Sequence, residues 1–420
     1  MAFGVQRQTS IYVDGVSGRR PRVPVDHQAL EAAAERSMSR QAFAYIAGGA
    51  GSESTVRANR SGWDAHRIVP RMLRDVSVRD PSVELFGQRF AVPFMLAPVG
   101  VLEMAHRGAD LAVARAASAE DVPMVLSSQA SVPMERVGAA LGDTPHWFQL
   151  YWSTSDDLVE SFVSRAEASG CSAIAVTLDT TILGWRTRDL DIAYLPFLRG
   201  KGIAQYTSDP VFQRLLDEPL DAEAPGPRPS FSALRTLAQL IRAYPGGLGD
   251  ARRARAAVQR FVRIYSRPSL TWDDLPFLRE RTSLPIVLKG ILHPDDARRA
   301  VDAGMDGVIV SNHGGRQVDG AISTIGALPG VVEAVRGQIP VLLDSGVRGG
   351  ADVFKALALG ARATLIGRPF AYGLAVAGEY GVREVLRNLA ADFDLTMGLA
   401  GCRSVDEIRD TPLMGVPSVP

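Results

Sequence analysis

Between residues 90 and 370 the chain alternates between two hydrophobic patterns, short runs apolar at successive positions and longer segments with apolar residues at helical spacing. The runs are VPFMLAPVG (92–100), VPMVLSSQ (122–129), HWFQLYW (146–152), AIAVTLDT (173–180), LPIVLKG (284–290), DGVIVSNHG (306–314), PVLLDSG (340–346) and ATLIGRP (363–369). A run apolar on both faces predicts a strand covered on both sides, as in a parallel sheet, and segments such as GADLAVARAASAE, HPDDARRAVDAG and GGADVFKALALGA supply the covering helices. Eight such units, with no GxGxxG after the first strand, predict an α/β fold of the TIM (β/α)8 barrel type rather than a doubly wound open sheet.

Three regions flank or interrupt the repeat. Residues 1–85 read as an N-terminal helical cap, in which DHQALEAAAERSMSRQAFAYIAGG forms one or two helices ending at Gly48-Gly49. The barrel itself is expected over 86–375. Within it, about 190–268 reads as a lid-like insertion after the fourth strand, because Pro, Gly and charge dominate stretches such as DEPLDAEAPGPRPS. Its ARRARAAVQRFVR segment is expected to be a helix with a solvated basic face. Residues 376–420 read as C-terminal helices packed on the barrel, followed by a tail at TPLMGVPSVP.

Composition narrows the partners. Hydrophobic residues make up 46% of 420 positions and charged residues 22%, a mixture that buries a large core. Lys plus Arg number 46 and Asp plus Glu 46, so no strong positive field draws nucleic acid or an anionic membrane. Cys171 and Cys402 have neither metal-ligand nor redox spacing, and no metal site is expected. With no export signal or membrane span in view, a cytoplasmic location is expected.

The candidate chemistry sits where the runs end, as expected for the C-terminal mouth of a barrel. SNHGGRQVDG places His313 and Arg316 on a glycine-rich turn after the sixth run, a proton acceptor and a carboxylate clamp. Asp179, at the end of the fourth run, either orients His313 or caps a helix, and Arg186 follows on the same loop. LLDSGVRGG and LIGRPF put Arg348 and Arg368 beside glycines after the seventh and eighth runs, where barrels commonly bind phosphate. Lys289 closes the fifth run; it stabilises a developing anion, forms a Schiff base as in a barrel lyase or aldolase, or pairs with a carboxylate.

SNHGGRQ at 311–317, with FQLYW, TLDT, LPIVLKG, LDSGVRGG, DVFKALALGA, IGRP and GCRS, resembles the FMN-dependent 2-hydroxy-acid oxidase and dehydrogenase family over about residues 30–405. The resemblance implies FMN as cofactor, a small 2-hydroxy acid as substrate, lactate foremost, O2 as electron acceptor and a homotetramer. It implies that His313 removes the hydroxyl proton with Asp179 as partner, that Tyr45, Arg186 and Arg316 bind the carboxylate, and that Tyr151 bonds near the reacting oxygen. It also implies that Pro98, Val99, Gly100, Ser127, Gln149, Thr177 and Lys289 hold the isoalloxazine, and that Ser311, Asp344, Gly346, Arg348, Gly367 and Arg368 hold the ribityl phosphate. LGWRTRDL and YLPFLRGKGIAQYTSDPVF (194–212) are similar to the lactate 2-monooxygenase branch, which implies oxidative decarboxylation to acetate, CO2 and water; an oxidase or dehydrogenase that releases the keto acid is the alternative. Gly100, where oxidases commonly carry alanine, is expected to enlarge the space near the flavin. Two positions depart from the common pattern: Gln129 stands where some oxidases have tryptophan, and Thr181 replaces a proline after Asp179-Thr180.

Overall fold

Each of the eight apolar runs forms a strand, and the strands close into a parallel barrel. In chain order they are β1 (Phe94–Leu96), β2 (Met124–Leu126), β3 (His146–Leu150), β4 (Ile174–Thr177), β5 (Ile286–Ile291), β6 (Gly307–Val310), β7 (Val341–Leu343) and β8 (Ala363–Ile366). Consecutive strands pair in parallel, and β8 returns to β1 through the register Thr364 to Phe94 and Ile366 to Leu96. Almost every strand residue is buried, because helices cover the outside and neighbouring side chains fill the inside. The structure is a computed structural model that describes residues 3–219, 230–244 and 250–415.

Four helices precede the barrel: α1 (Phe3–Val16), α2 (His27–Ser37), α3 (Arg40–Ala47) and α4 (Ser54–Ser61). Asp26 and Ser39 cap α2 and α3 by accepting from the Ala29 and Ala42 amides at 2.8 and 3.2 Å. The segment read as one or two helices is therefore two, and α1 lies ahead of them. Helix α4 reaches the mouth of the barrel: Asn59 and Asn312 exchange amide hydrogen bonds at 2.7 and 2.8 Å, and Asp319 accepts from Ser52, Ser54 and the Thr55 amide. The cap and the loop after β6 are thus one hydrogen-bonded unit.

The insertion after β4 carries helices, including Thr187–Asp191, Pro210–Leu215, Phe231–Ala243 and Ala251–Ile264. The basic helix Ala251–Ile264 buries Ala254, Ala257, Val258, Phe261 and Ile264 and leaves Arg252, Arg255 and Arg263 exposed, as its spacing predicts. The Pro- and Gly-rich stretches at 220–229 and 245–249 lie outside the described residues. After β8 a helix runs from Arg368 to Leu399 with a break at Ala377-Gly378. The C-terminal segment is more than a tail: Leu413–Gly415 pairs antiparallel with His66–Ile68. No helix among the described residues is long and apolar enough to cross a membrane, and no cluster of metal-ligating side chains is present among them.

Candidate active site

The loop that leaves β6 makes a turn that few sequences tolerate. His313, Gly314 and Gly315 all adopt positive φ, at 56, 66 and 75°. The glycines take this at little cost, whereas for His313 it is strained by about 1–2 kcal/mol. Asn312 accepts from the Gly315 amide, Ser311 Oγ from the His313 amide at 3.1 Å, and Ser345 Oγ from the Gly314 amide at 2.9 Å. Held in this way, the imidazole donates from Nδ1 to Asp179 Oδ1 at 2.7 Å and leaves Nε2 for the cavity that the ring lines. Of the two uses the sequence allowed for Asp179, orienting His313 is the one found.

Burial is the first cause holding His313 below the ordinary histidine pKa; Asp179 opposes it, and Lys289 and Arg186 reinforce it. Asp179 itself is driven well below the usual carboxylate range, because Lys289, His313 and Thr180 outweigh its own burial.

Lys289 bears on a second alternative. Its ammonium donates to Ser311 Oγ at 2.7 Å and lies 3.1 Å from Asp344 and 3.6 Å from Asp179. Although burial disfavours the charge, the two carboxylates push the lysine pKa upward. An ammonium held between two carboxylates suits a fixed cation rather than the neutral amine a Schiff base needs, which counts against the aldolase alternative.

Arginines are distributed in the opposite way. Arg186, Arg316, Arg348 and Arg368 all line the same cavity, yet none forms an ion pair among the described residues. Arg316 donates to the Tyr45 and Gly48 carbonyls and lies over the Tyr45 ring, its centre 5.0 Å away. Arg186 reaches the Arg316 carbonyl and Gln317 Oε1, at 3.3 and 3.1 Å. Arg368 donates to the Ile46, Gly314 and Gly48 carbonyls, and Arg348 to the Val347 carbonyl. Burial first, and then a guanidinium neighbour, pulls Arg316 down to about 9 and Arg348 down to about 10. Arg316 and Arg368 share the Gly48 carbonyl, and buried Asp189 acts on Arg186 and Arg316 without pairing with either; so many guanidinium groups in one buried site call for anionic ligands.

The rest of the wall is hydroxyl, amide and aromatic. Ser127 Oγ donates to Gln149 Oε1 at 2.8 Å and Gln149 Nε2 to Thr177 Oγ1 at 3.0 Å, a chain across the ends of β2, β3 and β4. Pro98, Val99 and Gly100 pass along one side, and Tyr151, whose phenol burial raises to about 12, along another. Phe197 and Tyr265 of the insertion and Leu183 ahead of it complete the lining, with Phe197 packed edge-on to Tyr45 at 6.3 Å. The enclosed space is about 1050 Å³, solvent at the mouth included.

Gly100 does not play the part expected of it. A Cβ there would stand 2.9 Å from Gln129 Cβ and 3.1 Å from Gln129 O, so the place of the missing methyl is already filled. Glycine is needed because the loop after β1 runs against Gln129, whose carbonyl accepts from the Val101 amide. The residue does not enlarge the cavity.

Of the residues expected at the site, Tyr45, Pro98, Val99, Gly100, Ser127, Gln149, Tyr151, Arg186, Lys289, His313, Arg316, Asp344, Gly346, Arg348, Gly367 and Arg368 line this one cavity. Thr177, Asp179 and Ser311 stand one layer behind, bonded to Gln149, His313 and Lys289. Three contributors were not among the residues expected at the site. Asn59 anchors the loop through Asn312, Gln317 ties it to the Asp179 and Ile182 carbonyls at 2.9 and 2.8 Å, and Thr180 touches both Asp179 and His313. Each acts across a long sequence separation.

A phosphorylated flavin fits what is present. The helix Arg368–Leu399 begins at Gly367 without a side-chain cap, and its N-terminal end, with Arg348 and Arg368 on the same cavity wall, suits a phosphate. A Cβ at Gly367 would meet nothing nearer than 3.8 Å, which leaves an open cradle at that end. The Ser127–Gln149–Thr177 chain and the Lys289 cation offer the polar edge of a heteroaromatic ring both hydrogen-bonding groups and charge.

Comparison with known proteins agrees with this geometry. Residues 34–414 match the family described as FMN-dependent dehydrogenase. The chain is 41% identical over 391 residues to an L-lactate oxidase of Lysinibacillus sphaericus (strain C3-41), covering 93% of each chain. It is 43% identical over 399 residues to an FMN-dependent alpha-hydroxy acid dehydrogenase of Penicillium citrinum, covering 95% of this chain and 92% of the other. Among solved structures, a mandelate oxidase superposes with a TM-score of 0.76 at 37% identity, covering 93% of this chain and 99% of that one.

Proposed function

The chain belongs to the FMN-dependent dehydrogenase family and is an FMN-dependent 2-hydroxy-acid oxidoreductase, and from that premise we propose that its substrate is a small L-2-hydroxy acid, lactate first, with O2 as the second substrate. The observation that carries the reading is the convergence, in one cavity, of the His313–Asp179 pair and the unpaired guanidinium groups of Arg186 and Arg316. A 2-hydroxy acid presents one carboxylate and one hydroxyl on adjacent carbons. Arg186, Arg316 and Tyr45 take the carboxylate, which turns the hydroxyl toward His313 Nε2 and Tyr151. His313, kept neutral by burial, accepts the hydroxyl proton, and Asp179 stabilises the imidazolium so formed. FMN, when bound, supplies the acceptor for the two electrons, which no side chain provides. Lys289 is the fixed cation that favours negative charge on the cavity floor.

We further infer that the keto acid is retained and oxidatively decarboxylated, giving acetate, CO2 and water from lactate. The support is the lining: Phe197 and Tyr265 come from the insertion and Leu183 from the loop ahead of it, and all three face the same cavity as Arg186 and Arg316. A second reading, release of pyruvate with hydrogen peroxide, is favoured by the likeness to an L-lactate oxidase and by the loss of the Gly100 argument. Anaerobic mixing of the holoenzyme with L-lactate is expected to bleach the flavin absorbance, and aerobic turnover to yield acetate. Stoichiometric pyruvate and peroxide select the second reading, and an unbleached flavin across a panel of 2-hydroxy acids overturns both.

A further inference from the structure

Thr180 is the first residue after Asp179 and is 3% exposed, with its hydroxyl at the centre of the proton-accepting group. Oγ1 donates to Asp179 Oδ1 at 3.0 Å and stands 3.1 Å from His313 Nδ1, which itself donates to the same Oδ1 at 2.7 Å. One carboxylate oxygen therefore receives two hydrogen bonds, one from the imidazole and one from the hydroxyl. Asp179 Oδ2 is left to Ser311 at 3.4 Å and Lys289 at 3.6 Å. The Tyr151 phenol is the remaining neighbour of the hydroxyl.

We propose that Thr180 is a positioning residue that, by sharing Asp179 Oδ1 with His313, fixes the Nδ1–H tautomer and moderates the pull of the carboxylate on the imidazole. The catalytic role of that imidazole rests on the 2-hydroxy-acid reading above; the geometry of the shared oxygen does not. A hydroxyl that donates to a carboxylate disperses its charge, so the imidazolium is held less firmly and the ring stays neutral and ready to accept a proton. Removing the donor returns the full lone-pair density of Oδ1 to the imidazole, which then keeps its proton to higher pH. The other charged and titratable groups that face the ring are Asp179, Lys289, Arg186, Arg316 and Tyr151; a Thr180 substitution replaces none of them, although Thr180→Val also takes a hydroxyl from Tyr151.

The test uses the holoenzyme with Thr180→Val, which keeps the shape and loses the hydroxyl, and Thr180→Ser, which keeps the hydroxyl and loses the methyl. Two measurements are made: the NMR titration of His313 with 15N-labelled histidine, and the pH profile of anaerobic flavin reduction by L-lactate. In Thr180→Val the His313 titration and the acid limb of reduction are expected to move upward by roughly one pH unit, with reduction about tenfold slower below neutral pH, and Thr180→Ser to restore both. A Val variant that titrates and reduces like the wild type, or a Ser variant as impaired as the Val variant, overturns the proposal. If the wild type reduces with no 2-hydroxy acid, the substrate reading fails while the titration still decides the role of Thr180.

Discussion

At the scale of single residues, the site depends on a histidine placed where its backbone is strained and its charge is disfavoured. Backbone strain at a non-glycine residue is retained where the surroundings over-determine it, and here Ser311, Asn312 and Ser345 do so. His313→Gln is expected to leave the flavin bound and slow its reduction by about 100-fold to 10,000-fold, measured by anaerobic stopped flow. Because burial lowers the His313 pKa, reduction in the wild type should rise with pH along an acid limb whose midpoint lies below the ordinary histidine value. Asp179 acts in the opposite sense, so Asp179→Asn is expected to carry the acid limb lower still while the plateau rate falls, since the imidazolium loses its counter-charge. An acid limb that moves upward in Asp179→Asn contradicts this balance. Gly100→Ala addresses packing: its methyl would press on Gln129 at 2.9 Å, so a loss of about 1–3 kcal/mol in stability is expected, read as a lower Tm. From the sequence the same glycine read as extra room, because the identity of one residue does not disclose what approaches it from another loop.

At the scale of elements, the barrel was legible and its bracing was not. Strands β1 to β8 are apolar on both faces because helices cover one side and the interior layers the other, and that leaves a continuous signal in the chain. The polar residues that end each run were legible for the same reason, since a buried strand becomes polar only where it reaches the mouth. The bracing depends on pairs distant in sequence: Asn59 with Asn312, Asp319 with Ser52 and Ser54, Gln317 with the Asp179 carbonyl, and Leu413–Gly415 with His66–Ile68. Each partner alone is an ordinary polar residue or a three-residue strand, with no periodicity to betray the pairing. Asn59→Leu tests whether α4 fixes the loop that carries His313. It removes both amide hydrogen bonds and leaves a buried Asn312 without its partner, at a cost of about 1–3 kcal/mol. The expected result is a lower Tm together with slower flavin reduction. A lower Tm with unchanged reduction means that α4 stabilises the barrel without positioning the histidine.

At the scale of the whole molecule, charge is balanced overall and unbalanced in one place. The 46 basic and 46 acidic side chains cancel across the chain, yet four arginines converge on a single cavity without a carboxylate partner among the described residues. Their desolvation is a cost of the folded state that carbonyl hydrogen bonds offset in part, and we propose that ligands offset the rest, a phosphate at Arg348 and Arg368 and a carboxylate at Arg186 and Arg316. On that proposal ligand binding and stability are linked at this cavity, with a ligand at 100 times its Kd adding about 2.7 kcal/mol. FMN is expected to raise the Tm of the apoprotein well above the rise given by riboflavin, which has the same ring system and no phosphate. Arg348→Leu should narrow that difference by weakening FMN and sparing riboflavin, because the guanidinium acts on the phosphate alone. Equal stabilisation by FMN and riboflavin in the wild type would place the phosphate away from Arg348. A narrowing produced equally by Arg316→Leu would mean that the two ends of the cavity are not separate anion sites.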